Sequence, residues 1–138
     1  MRSFLLAWLL LSSIPAYASD GWVVLPNGQK VGVDQAYRKN NQIRVYGQGR
    51  SGMSVKLVQQ GVLIRMAELA HAKSMPRMAV IKVSDCGYRG NFAQCRIVGQ
   101  MLAEGENASP EGRNEIVYFR VADVLSGTMV EEGRTPAR

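Results

Sequence analysis

The chain has 138 residues, is 46% hydrophobic and 20% charged, and carries 17 Lys and Arg against 11 Asp and Glu. That composition excludes collagenous material and charge-dominated disorder, and the length excludes a two-domain enzyme with separate cofactor and substrate lobes. The formal charge is +6, with basic residues scattered from Lys30 to Arg120 instead of gathered into the run that marks a nucleic-acid arm.

The chain starts with Met1-Arg2-Ser3, continues as an apolar run from Phe4 to Leu11 and reaches Ala16-Tyr17-Ala18. A short positive region, a short apolar region and an A-x-A ending read as a secretory signal peptide, residues 1–18. The run is far shorter than the roughly 20 residues of a membrane span. No Cys near the cleavage position suggests lipid attachment. Cleavage after Ala18 removes Arg2 and no acid, which lowers the charge by one. The expected location is therefore periplasmic or secreted, with no transmembrane anchor. The expected partner is an envelope protein or an anionic envelope component, drawn in over a Debye length of about 8 Å; nucleic acid is not expected. The alternative reading of the basic excess is solubility alone.

Four short strands are expected to open the mature chain. Trp22 to Leu25 and Gln29 to Val33 flank the turn Pro26-Asn27-Gly28, and Gln35 to Lys39 and Gln42 to Tyr46 flank Asn40-Asn41. Ile43 and Val45 alternate with Arg44 and Tyr46, the pattern of a strand with one wet face. From Ser54 to Ser74, Val55, Val58, Val62, Met66, Leu69 and Lys73 recur every three or four residues, which predicts a helix capped by Ser54 and stopped before Pro76. Gly61 inside it costs about 1 kcal/mol relative to Ala and marks close packing against a sheet. Strands are expected at Met78 to Ser84, Cys95 to Ala103 and Glu115 to Ala122. The polar loop Glu104 to Asn114 reads as an exposed connection.

Two Cys in an exported chain, Cys86 and Cys95, lie between two predicted strands and read as one disulfide closing a hairpin. Two thiolates cannot fill a tetrahedral zinc site, and the single His, His71, lies inside the predicted helix, so neither metal nor redox chemistry is expected. The stapled loop displays Tyr88, Arg89 and Phe92, and Tyr and Arg are enriched at binding hot spots. A constrained loop also loses less entropy on binding. The alternative is that Tyr88 and Phe92 fold back over the end of the core.

A second candidate is Gly47-Gln48-Gly49-Arg50-Ser51-Gly52, a G-x-G-x-x-G between a strand and a helix. It lacks the acid expected about 20 residues on in a dinucleotide site. The remaining readings are a flexible connection, or an anion site at Gly49, Arg50, Ser51 and Gly52 that uses backbone amides at the helix start. No G-x-S-x-G elbow is present and no catalytic residue is assigned; no cofactor is expected.

From Gln42 to Asp85 the chain resembles a loose group of uncharacterised small bacterial envelope proteins, many of them lipoproteins. These have a strand, a Gly-containing loop, a helix ending in an R-A-A-E-L-like stretch and a further strand. The matching residues are Arg65-Met66-Ala67-Glu68-Leu69 and Ala79-Val80-Ile81. The chain departs in lacking a lipobox Cys and in having the Cys86 to Cys95 loop. The resemblance implies an envelope location and a small α+β fold, and it transfers no catalytic residue.

The fold expected is α+β: an antiparallel sheet packed on one long helix, with a disulfide-closed hairpin. Residues 19–126 form a single domain and 127–138 a disordered tail. The function expected is a non-enzymatic binding or envelope-maintenance protein. The alternatives are an inhibitor or immunity protein of a cell-wall hydrolase and a small envelope enzyme.

Overall fold

The computed structural model describes residues 21–110, 112 and 114–136; the expected leader lies outside them. In chain order the elements are β1 (Trp22–Val24), β2 (Lys30–Tyr37), β3 (Gln42–Gln48), α1 (Val55–Ala72), β4 (Arg77–Arg89), β5 (Phe92–Leu102), β6 (Ile116–Arg120), α2 (Val121–Leu125) and β7 (Gly133–Thr135). All seven strands join one antiparallel sheet in the order β1-β2-β3-β5-β4-β6-β7. The α+β architecture is as expected, with α1 across one face and the Cys86–Cys95 disulfide in the β4–β5 hairpin.

Local chemistry sets the hairpins. Asn40 and Asn41 both have positive φ, 60° and 58°, as a two-residue hairpin turn requires. The flanking Arg38 amide donates to the Gln42 carbonyl at 2.8 Å. At the first turn Gly28 has φ 86° and its amide donates to the Leu25 carbonyl. The opening strands number three instead of four, because β2 runs unbroken through Asp34, whose alternate residues still pair along β3. β4 and β5 also run further than expected, up to the Gly90-Asn91 turn. The disulfide therefore crosses between strands within the hairpin.

The helix stripe read from the sequence is the buried one. Val58, Val62, Met66 and Leu69 meet Val31, Ile43, Val45, Ile97 and Met101 from the sheet. Ser54 caps α1 by accepting from the Leu57 amide at 3.2 Å. Glycines bring the layers together. A Cβ on Gly61 would lie 2.8 Å from Val31 Cβ, one on Gly47 would lie 2.5 Å from Val62 Cγ2, and one on Gly99 would collide with the Met66 side chain of α1. Fully buried Arg65 ties α1 to the first strand, its Nη2 donating to the Trp22 carbonyl at 2.9 Å. Its Nη1 lies 3.6 Å from Glu68 Oε1.

Among the described residues the opposite face is covered on one side. There Ala79, Ile81, Leu102, Ile116 and Tyr118 form a second small cluster closed by Ala108. The loop after β5 is thus more than an exposed connection. Its Ser109 amide donates to Gln100 Oε1 at 2.9 Å, its Ala108 amide donates to the Tyr118 hydroxyl at 3.3 Å, and the Glu106 carbonyl accepts from Arg77 at 2.6 Å.

The segment after Ser126, expected as a disordered tail, instead returns to the sheet as β7, and the Glu132 amide donates to the Tyr118 carbonyl at 2.8 Å. It has no apolar periodicity because charge holds it. Arg77 grips Glu132 through Nε and Nη2 at 2.9 and 2.7 Å, and Arg134 pairs with Glu115 and Glu131.

Two predictions follow from these contacts. Ala at position 61 should gain about 1 kcal/mol in helix propensity, whereas overpacking against β-branched Val31 should cost about 1–3 kcal/mol. Gly61→Ala should therefore lower the urea midpoint, and a prior Val31→Ala change should shrink the loss. The second prediction concerns pH. Hydrogen bonds from Arg120 and Arg134 hold the Glu104 and Glu131 carboxyls below the ordinary value of 4.5. A carboxyl with a depressed folded pKa stabilises the fold above its unfolded pKa and loses that contribution as pH falls through the folded one. Acidification below pH 4.5 should loosen β7. The readout is faster amide exchange at Gly133–Thr135, corrected for intrinsic rate, with the β3–β5 amides unchanged.

Candidate binding face

Among the described residues, the sheet face opposite α1 is open across β1, β2, β3 and the adjoining part of β5. Register decides which side chains share it. Trp22 pairs with Gly32, Gly32 with Gln48, and Gln48 with Gln94; the next row is Asp34, Tyr46 and Arg96, and the next is Ala36, Arg44 and Val98. Paired residues in a sheet point to the same side, so this face is a mosaic of aromatic, cationic and amide side chains. The partners one residue along, Val23, Val31, Val45 and Ile97, are buried under α1.

Two depressions mark the face. The larger, about 500 Å³, is lined by Trp22, Lys30, Gln48, Arg50 and Phe92 over the backbone of Gly21, Gly32 and Gly49. Trp22 and Phe92 are 47% and 44% exposed, large for aromatic side chains with a core available below them. Lys30 Nζ stands 5.1 Å from the centre of the Trp22 ring, a cation–π contact. The smaller depression, about 190 Å³, is lined by Asp34, Gln35, Ala36, Arg44, Tyr46 and Arg96. In it the Arg96 guanidinium lies 5.6 Å from the Tyr46 ring centre and pairs with Asp85 at 3.2 Å, and the Tyr46 hydroxyl donates to Gln94 Oε1 at 3.0 Å. Among the described residues Lys30, Arg44 and Arg50 make no ion pair.

The two loops singled out in the sequence contribute unequally. The Gly49 amide already donates to the Ala93 carbonyl at 2.9 Å, and the Met53 amide donates to the Arg50 carbonyl at 3.0 Å. The glycine-rich loop is thus an ordered turn, with Gly52 at φ 85° and exposed Ser51 beside it. Its backbone amides at Gly49 and Met53 are committed to the fold, and its contribution to the open face is the Arg50 side chain. A Cβ on Gly49 would lie 2.8 Å from Val58 Cγ2, which explains the glycine by packing.

From the stapled loop, Phe92 enters the larger depression, while Tyr88 pairs with Ala93 on the other side of the hairpin and is 63% exposed. Neither aromatic folds back over the core. Arg89 is exposed at the hairpin tip. The fold therefore brings Arg50 and Phe92 together and leaves Tyr88, Arg89, Ser51 and Gly52 outside the depression. Trp22 and Lys30 are additional members that the sequence marks only as strand residues. Their signal was present in the alternation of Trp22 and Val24 with buried Val23 and Leu25.

The described residues contain no group of three or more His, Cys, Asp and Glu arranged to hold a metal ion, and no helix among them is long and apolar enough to cross a membrane. His71 is exposed at the end of α1. Compared with protein-family models, curated proteins and solved structures, the chain matches none.

The disulfide supports the face from behind. Cys95 is fully buried and paired with Gly47, and its partner Cys86 sits where β4 slips register between Ser84 and Gly87. Asp85 in that slip has φ 53°. Closing a ten-residue loop stabilises a fold by roughly 2 to 3 kcal/mol in the chain-entropy model. A Cys86→Ser, Cys95→Ser variant should lose about that much in urea unfolding, and reductant should leave the variant's midpoint unchanged while lowering that of the parent.

Proposed function

We propose that this protein is an extracytoplasmic, non-enzymatic binding module that takes an anionic component of the cell envelope on the sheet face opposite α1. The observation that carries this reading is the placement of Lys30 and Arg50 beside the exposed rings of Trp22 and Phe92, with Arg44 further along the same face and none of the three cations in an ion pair among the described residues. Cations beside exposed aromatics fit a ligand that is both charged and flat. The disulfide suits an oxidising compartment, the leader-like residues 1–18 suit export, and the resemblance over Gln42 to Asp85 suits the envelope.

A second reading rests on the tip of the same hairpin. Tyr88 and Arg89 are exposed at a stapled tip, a shape suited to plugging the cleft of a cell-wall hydrolase. The two readings separate by variant. On the first, the disulfide-intact protein co-sediments with anionic envelope polymers, 1 M salt releases it as the Debye length shrinks to about 3 Å, and Lys30→Gln with Arg50→Gln weakens binding several-fold. On the second, Tyr88→Ala with Arg89→Ala abolishes hydrolase inhibition and the Lys30 and Arg50 changes leave it intact. Retention by a neutral polymer equal to that by an anionic one would overturn the first reading.

A further inference from the structure

We infer that the occupant of the open face is an acidic glycan chain, carboxylate-bearing sugar rings laid along the strands across both depressions; this rests on the binding-face reading above and names its ligand class. A small anion would need only the cations. The larger depression adds two exposed aromatic rings, the Gln48 amide between them and a floor at Gly32 that carries no side chain. The apolar C–H face of a pyranose stacks on Trp22 or Phe92, its hydroxyls reach Gln48, and its carboxylate meets Lys30 or Arg50. Lipid headgroups and polyphosphate supply the charge without the ring.

Length comes from the register. Arg44 stands four residues before Gln48 on β3, roughly 13 Å along the strand at about 3.3 Å per residue. One ring in the larger depression leaves Arg44 untouched, whereas a chain of several rings reaches it and the Arg96–Tyr46 pair beside it. Asp34 on the same row repels a carboxylate placed directly over it, so the acid groups of the chain fall to the Arg44 and Arg96 sides.

The floor offers a variant that changes shape without changing charge. A Cβ at Gly32 would meet only the Gln48 carbonyl oxygen, at an ordinary 3.5 Å, so the backbone there has room for a side chain and Gly32→Val is chosen to fill the depression, its folding checked by an unchanged urea midpoint. The experiment is calorimetric titration of the disulfide-intact protein with galacturonic acid and its di-, tetra- and hexamer, against inorganic polyphosphate, phosphatidylglycerol vesicles and a single-stranded oligonucleotide. The expected result is affinity rising with glycan length. Trp22→Ala and Gly32→Val should each weaken hexamer binding about tenfold, equivalent to about 1.4 kcal/mol, and leave the weaker polyphosphate binding unchanged. Arg44→Gln should weaken the hexamer and spare the dimer. Polyphosphate, vesicles or oligonucleotide binding as tightly as the hexamer, with Trp22→Ala and Gly32→Val neutral, overturns the glycan inference and leaves the anionic face standing. Failure of every polyanion to bind overturns both.

Discussion

The close seating of α1 on the sheet is the constraint on which the rest of this structure depends. At Gly61, Gly47 and Gly99 there is no room for a Cβ between helix and strands, so the layers meet with backbone against side chain, and the one long helix covers one face of the sheet. Interiors packed to crystal-like density do not give way to an added methyl group without strain. Arg65 extends this constraint to β1, because its buried guanidinium holds the Trp22 carbonyl. Among the described residues one long helix lies on one side, and the other side has the loop after β5 to cover it, which reaches no further than β4, β5 and β6.

Charge follows the same division. Arg77, Arg120 and Arg134 are matched by Glu104, Glu115, Glu131 and Glu132 around β6 and β7. Hydrogen bonds to these acids raise the pKa of all three guanidinium groups. Exposed pairs of this kind add little stability singly, and more when several share a network. Their consequence here is spatial. Four of the eleven acids are used where the tail returns, and the open face retains Lys30, Arg44 and Arg50 beside Asp34. A modest excess of base over the whole chain becomes a distinct local excess on one surface, the arrangement that steers an anionic partner.

The hairpin joins these two themes. Its disulfide anchors one side to the core through buried Cys95, while its other side delivers Phe92 to the open face. The register slips at Val80/Lys82 and Ser84/Gly87 interrupt the edge of β4 that runs beyond β6. Such bulges keep an exposed edge from pairing with another chain, so the hairpin can project without inviting strand addition.

Features whose cause is local were legible in the sequence. The stripe from Val58 to Leu69, the Ser54 cap, the Asn40-Asn41 turn, the alternation through Ile43 and Val45, and the pairing of the two Cys each follow from spacing or residue chemistry within a few positions. Gly61 even announced the close helix–sheet contact. The tail escaped this reading because β7 is three residues long and held by Arg77–Glu132 and Arg134–Glu115, contacts that leave no periodic trace. The candidate site was half legible: Arg50 and Phe92 were singled out separately, in loops whose shared neighbourhood depends on β3 pairing with β5 instead of with the next strand in sequence. The sequence by itself determined the long helix, the buried stripes of helix and sheet, most of the strands and the staple, because periodicity and turn chemistry act locally. Only the tertiary structure decided which exposed residues face the same way, since that depends on strand order and register between segments far apart in the chain.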